Sequence, residues 1–192
     1  MYKSDMTDCF NSYMDAPEMD YWRRLCIEEG ELITYAKGEE FCRVDEVARY
    51  VGFVKSGTLK YLIYGEDGSE HVVGLEFAGE FVADYPFSLR GIKSRVSIIA
   101  DSECEIYCYP VKALVERLHR DSSFERLMLY TSELLFMQIY HRYMALYCKS
   151  PQERYRELLS KHPDLFSLFS LKDIASFLNI SPTHLSRLRK IM

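Results

Sequence analysis

The sequence predicts an α+β chain in which a small antiparallel β-barrel or sandwich is followed by a long helix and then a helix-turn-helix. Three observations carry this. Between Glu31 and Tyr109, short runs rich in Val, Ile, Phe and Tyr alternate with glycine turns. From Asp121 to about Tyr147 a helical pattern runs without Gly or Pro. Between Ser170 and Lys190 two short helical patterns flank a single turn residue, Asn179.

Taken in order, Tyr13 to Glu29 reads as helical, with Trp22 and Leu25 as apolar anchors. Val51–Val54, Thr58–Tyr64, His71–Phe77, Arg95–Ala100 and Glu105–Tyr109 read as strands, because short β-branched and aromatic runs at regular spacing favour a pleated, half-buried surface. The turns between them lie at Lys37-Gly38, Ser56-Gly57, Gly65 to Gly68 and Ala78-Gly79. Asp67-Gly68 supplies the positive φ that a hairpin loop needs. Pro110 suits the first turn of a short helix, Val111–Leu118. Asp121 can cap the long helix, which at 1.5 Å per residue reaches about 40 Å. Its apolar residues include Phe124, Leu127, Met128, Leu134, Leu135, Ile139, Met144 and Leu146. A helix this long and this apolar is expected to cover the barrel with one face and to pair with a second subunit through another. Ser150-Pro151-Gln152-Glu153 is a capping box with proline at the first helical position, and His162-Pro163-Asp164 ends the helix it opens.

Composition excludes several classes. With 48% hydrophobic and 28% charged residues, the chain is ordinary globular material and not a disordered tail. No apolar run approaches the roughly 20 residues of a membrane span, and Met1 to Asp20 lacks the basic start and apolar stretch of a secretory signal. A cytoplasmic protein is expected. The six cysteines (Cys9, Cys26, Cys42, Cys104, Cys108, Cys148) contain no CxxC pair. Cys104 and Cys108 share a strand face but sit about 13 Å apart along it, too far to bridge. Reduced, buried thiols are expected, and no metal site. The strand region holds a single histidine, His71, so a metal-dependent barrel enzyme lacks its ligand cluster. No nucleophile–base pair or phosphate-cradling loop appears either. No catalytic residue is assigned.

The region from Ser170 to Lys190 is the most specific. Ser170 caps a helix carrying Ile174, Ala175, Phe177 and Leu178; Ala175 is small enough for a close crossing, and Asn179 tolerates the left-handed turn that follows. Ser181-Pro182 opens a second helix with Leu185 and Leu188 on its buried side. Its early exposed positions, Thr183, Ser186 and Arg187, are those that reach base edges in such motifs. Arg187 can pair with guanine through two hydrogen bonds. Arg189 and Lys190 offer charge to phosphates, and Ser181 with the free amides of the helix start can hold one. Charge distribution agrees. From Pro151 onward, seven basic side chains face four acidic ones, so the net −5 of the chain divides into +3 there and −8 before it. An acidic body with a basic tail suits two modules with different partners.

From Leu171 to Lys190, and above all in the ending Leu185-Ser186-Arg187-Leu188-Arg189-Lys190, the sequence resembles the helix-turn-helix of the Crp/Fnr regulators, in the version common in Bacteroidetes-type members. Tyr35-Ala36-Lys37-Gly38-Glu39 and Gly52-Phe53-Val54-Lys55-Ser56-Gly57 resemble the opening strands of that family's cyclic-nucleotide-binding-type barrel. The resemblance spans roughly Glu31 to Met192. It implies three parts: a jelly-roll effector domain with its N-terminal helix (1–120), a long dimerisation helix (121–149) and a winged-helix-type DNA-binding domain (150–192). Implied partners are double-stranded DNA, a second copy of the chain and RNA polymerase, with no membrane.

The family's nucleotide cassette uses a Gly-Glu pair and an Arg-Ser or Arg-Thr step. Here Ala83 and Asp84 stand where the first pair is expected, and Ser94-Arg95 reverses the second. A one-residue shift on a strand turns Arg95 to the opposite face. Ala83, Asp84, Ser94 and Arg95 therefore mark an effector pocket that departs from the one for cyclic AMP. Another small-molecule effector, or none, remains open, as does a sensor that keeps the barrel but has lost specific DNA recognition. The iron–sulfur variant of the family needs clustered N-terminal cysteines, which Cys9 and Cys26 do not supply. His71 as a haem ligand is a weaker reading than a structural or exposed strand histidine.

Overall fold

The computed structural model describes residues 11–191. They form two compact units, one from Asp20 to Glu125 and one from Arg126 onward together with the described residues up to Met19. Cys9 lies outside the described residues.

The first unit opens with helix α1 (Met19–Glu29), which buries Trp22, Leu25 and Cys26. The helix expected from Tyr13 begins later. Only a 3-10 turn forms at Ser12–Asp15, and Pro17, which has no N–H to give to a helix interior, separates the two. Trp22 meets the ring of Phe124 edge-on at 5.2 Å, and Arg117 grips Glu29 with two hydrogen bonds of 2.9 and 3.1 Å.

Eight antiparallel strands follow: β1 (Glu31–Tyr35), β2 (Glu40–Cys42), β3 (Tyr50–Ser56), β4 (Leu59–Tyr64), β5 (Glu70–Glu76), β6 (Phe81–Val82), β7 (Ser97–Ala100) and β8 (Cys104–Pro110). They build two four-stranded sheets, ordered β1-β8-β3-β6 and β2-β7-β4-β5. Only the β4–β5 hairpin keeps consecutive strands in one sheet. The other connections cross between sheets, the weave of a jelly roll. Gly68, at φ 79°, makes the hairpin turn as Asp67-Gly68 predicts. The strand expected from Arg95 starts two residues later. Ser94 Oγ accepts from the Val96 N–H at 3.1 Å and donates to its carbonyl at 2.7 Å, a local bond that competes with the sheet ladder.

Between the sheets lie Val54, Leu59, Val82, Ile98, Cys104, Ile106 and Cys108, with Tyr61 packed against them. The thiols are free. Burial pushes Cys26 up to about 12 and Cys108 to about 11. Helix α2 (Val111–Arg120) closes this unit and buries Val111 and Leu114 against it.

Helix α3 (Ser122–Cys148) starts where Asp121 Oδ1 accepts from the amides of Ser123 (2.8 Å) and Phe124 (3.3 Å). The second unit continues through α4 (Pro151–Lys161), α5 (Leu165–Leu168), α6 (Leu171–Phe177) and α7 (Pro182–Ile191). The capping box before α4 is complete: Ser150 Oγ accepts from the Glu153 N–H, and Glu153 accepts from the Ser150 N–H at 2.7 Å. Among the described residues this unit has no strand, so the β-strands of a wing are not seen. Among the described residues no helix is long and apolar enough to cross a membrane.

Candidate nucleic-acid interface and barrel pocket

Helices α6 and α7 stand where the sequence places the helix-turn-helix, with the Asn179 turn between them. Ser170 caps α6 by accepting from the Asp173 N–H at 3.1 Å. Asn179 makes the turn at φ 54°, in the left-handed region the sequence requires of it, and the Ile180 N–H closes the turn on the Ala175 carbonyl at 3.0 Å. Ile174, Ala175 and Leu185 are completely buried, and Leu188 nearly so. Ala175 is thus enclosed, and a larger side chain there would have to displace its neighbours.

The candidate DNA residues separate into three kinds. Thr183, Ser186, Arg187 and Lys190 share one face of α7, opposite Leu185 and Leu188, by the period of the helix. Thr183, Arg187 and Lys190 are exposed and Ser186 is half-buried. Arg187 has no partner among the described residues, so its guanidinium is available for a base edge. Ser181 is partly committed: its Oγ accepts from the His184 N–H at 3.1 Å as the cap of α7, which leaves its hydroxyl hydrogen to donate. Arg189 points elsewhere. Its guanidinium stands 4.3 Å from the centre of the Phe166 ring, which in turn meets Tyr155. Nothing in the local sequence shows that α5 supplies a ring under Arg189.

In the barrel, Asp84 and Ser94 come together and Arg95 does not join them. Asp84 and Ser94 are buried, whereas Arg95 is exposed in the bend before β7. Burial raises the Asp84 carboxyl above its usual range, with the polar Ser94 side chain opposing the shift. One Asp84 oxygen, Oδ2, is buried without a hydrogen-bond partner. Ala83 is held by a residue the sequence does not single out. The Tyr61 hydroxyl accepts from the Ala83 N–H and donates to the Ala83 carbonyl. Ala78-Gly79 is a turn, as expected, with Glu80 after it accepting from the Phe77 N–H at 3.0 Å. An anion placed here would meet a buried carboxylate, and the nearby arginine faces solvent.

His71 is exposed on β5 and 2.9 Å from Ser69 Oγ. Among the described residues no cluster of His, Cys, Asp and Glu is arranged to hold a metal ion.

Residues 32–121 match the family model of the cyclic nucleotide-binding domain. Comparison with curated protein sequences finds no match. Among solved structures, a candidate cAMP-binding regulatory protein from Silicibacter pomeroyi DSS-3 is similar at TM-score 0.69 and 23% identity, over 90% of this chain and 79% of that one. FixK2 from Bradyrhizobium japonicum is similar at TM-score 0.70 and 19% identity, over 84% and 83%. A candidate Crp/Fnr-family transcriptional regulator from Eubacterium rectale ATCC 33656 is similar at TM-score 0.63 and 19% identity, over 94% and 87%. At these identities the likeness shows a common fold that extends beyond the barrel.

Proposed function

We propose that the chain is a DNA-binding transcription regulator of the Crp/Fnr type, in its Bacteroidetes-type version, acting as a homodimer in the cytoplasm and not as an enzyme. The observation that carries this is the α7 face of Thr183, Ser186, Arg187 and Lys190, set opposite the buried Leu185 and Leu188. That polarity lets the helix lie in a major groove while its other side stays packed. The likeness to regulator structures along most of the chain supports it.

The dimer rests on α3. Leu129, Phe136, Ile139, Tyr140, Tyr143 and Tyr147 are all exposed on it, most by more than half of their surface. Leu129, Phe136, Tyr140, Tyr143 and Tyr147 recur at steps of seven, four, three and four. That is the spacing of a helix–helix seam, and so large an exposed apolar stripe calls for a partner. A second copy of the same helix supplies the matching stripe. Two recognition helices would then enter successive major grooves about 34 Å apart on a pseudo-palindromic site. RNA polymerase is the natural further partner of such a complex.

The barrel does not serve as a cyclic AMP receptor in this reading. The buried Asp84 and the outward Arg95 reverse the charge that a phosphate requires.

The test is selective enrichment of genomic DNA fragments on the purified protein at about 0.15 M salt, where non-specific phosphate attraction is screened. A two-fold-symmetric motif is expected. Failure to enrich any sequence, with and without candidate effectors, would favour a sensor that has lost specific DNA recognition.

A further inference from the structure

Within the second unit, the last turns of α3, the start of α4 and the end of α6 enclose a cleft of about 70 Å³. Its polar wall carries three cations, Arg142, Lys149 and Arg154, against one carboxylate, Glu157, with Gln138 and His141 beside them. Lys149 pairs with Glu157 at 2.8 Å, so the carboxylate is already engaged. Arg142 stands over the Phe177 ring at 3.7 Å from its centre. Besides Gln138 and His141, the rest of the wall is apolar: Ala145, Leu146, Leu158, Phe177 and Leu178.

Arg154 is the residue that sets the chemistry. Its Nη1 donates to the Lys149 carbonyl at 2.7 Å and its Nη2 to the Leu178 carbonyl at 3.0 Å. Nε is buried and has no hydrogen-bond partner. Among the described residues no carboxylate pairs with this guanidinium. Burial holds its proton affinity below the usual arginine range, with no neighbouring anion to restore it. A part-buried cation that meets only two neutral carbonyls has an unmet electrostatic demand, and an unsatisfied buried N–H adds to it. An anion in the cleft, which Arg154 lines, answers the first of these.

We propose that this cleft is a binding site for a short-chain monocarboxylate, with its carboxylate against the Arg154 guanidinium and its alkyl chain against Ala145, Leu146 and Phe177. The volume fits. It holds about five waters, which leaves room for a carboxylate of two to four carbons and excludes a nucleotide. The apolar wall selects an alkyl acid over inorganic phosphate, which would gain the cation but leave that wall unfilled. Leu178 and Phe177 belong to the end of α6 and the turn after it, and Ala145 to α3, so the ligand would tie the long helix to the helix-turn-helix. That regulatory consequence rests on the DNA-binding reading; occupancy of the cleft does not.

The experiment is a titration of the full chain with acetate, propionate, butyrate and inorganic phosphate at constant ionic strength. It is followed by the arginine Nε–Hε resonances and by calorimetry, without DNA. Saturable binding of one butyrate per chain is expected, tighter than acetate, with the Arg154 Nε–Hε signal moving. Ala145→Leu, which fills the cleft from a helix position that favours leucine, should weaken butyrate by more than about tenfold without lowering the melting temperature. Arg154→Gln should do the same if it folds. No shift at Arg154, undiminished binding in Ala145→Leu, or phosphate binding with no preference for butyrate would each overturn the proposal. Butyrate binding without any sequence enriched from genomic DNA would keep this site and sink the regulator reading.

Discussion

The Tyr61 hydroxyl holds the Ala83 peptide by both of its polar groups, accepting from the N–H at 3.1 Å and donating to the carbonyl at 3.3 Å. The ring lies over Gly74, where an added Cβ would come within 2.6 Å of it, so glycine on β5 is what lets the tyrosine reach across. Tyr61→Phe keeps the ring and removes both bonds. Because Ala83 is only half-buried, the expected loss is about 1–2 kcal/mol, below the full penalty for two orphaned groups. A urea melt should show a lower midpoint with an unchanged slope. An unchanged midpoint would mean that the hydroxyl contributes nothing to the barrel.

The buried thiols predict an alkaline limit to stability. Burial lifts Cys26 from 9.0 to about 12 and Cys108 to about 11. The folded state therefore holds these protons more tightly than the unfolded one. Their contribution is fully present below pH 9 and is lost as pH rises through the folded values. The urea midpoint should be insensitive to these groups at neutral pH and fall above pH 9, less steeply in Cys26→Ala. Under native conditions a thiol reagent should modify Cys148, the exposed one among the described cysteines, ahead of Cys26, Cys42, Cys104 and Cys108. Rapid labelling of all four at neutral pH would contradict their burial.

Much of this architecture is legible in the sequence because it is local. Asp67-Gly68, the Ser150 capping box and the Asn179 turn each act through neighbours a few residues away, and each forms where the sequence places it. The departures have non-local causes. β2 and β6 are only three and two residues long, and their pairing with β7 and β3 gives them an identity that their own composition does not. In the barrel, Arg95 is exposed, but it lies in the bend before β7 and not on the strand whose register is expected to turn it outward, because Ser94 delays the strand. Tyr61 could not be found from sequence, since its role depends on the sheet bringing it to Ala83. Nor could Arg154, which looks like an ordinary helix-surface arginine until α6 packs beside it.

Asn179 has φ 54°, a conformation that costs a β-carbon-bearing residue about 1–2 kcal/mol unless its side chain compensates locally. Asn179→Ala should therefore destabilise the second unit by about 1 kcal/mol, and Asn179→Gly should be neutral or slightly stabilising. Thermal melts of the two variants check the order. If alanine were tolerated as well as glycine, the turn would not be left-handed in solution.

Ser150→Ala removes the acceptor for the Glu153 N–H and half of the reciprocal cap that starts α4. The expected cost is about 1 kcal/mol. The hydrogen bonds from Ser150 hold the Glu153 carboxyl below its usual range, so the cap is intact above the ordinary glutamate pKa and is lost as pH falls through the lowered one. The wild-type protein should thus lose stability in acid over a window that Ser150→Ala narrows. Stability measured from pH 7 downward in both proteins decides it.

Arg187 and Arg189 stand two residues apart on α7 but should fail in different ways. Arg187 is exposed and has no partner among the described residues, so its substitution by alanine leaves the fold untouched. On operator DNA, Arg187→Ala should cost about 1–3 kcal/mol and relax preference at one base pair. Lys190→Ala should weaken all sequences alike and lower the salt slope by about 1, the mark of a phosphate contact. Arg189 stacks on Phe166, and an exposed cation–π pair is worth about 0.5–1 kcal/mol, so Arg189→Ala should first lower the melting temperature. Binding isotherms on specific and random duplexes at several salt concentrations separate the three. Should Arg187→Ala weaken random and operator DNA equally, Arg187 reads the backbone and the base contact must be sought among Thr183 and Ser186.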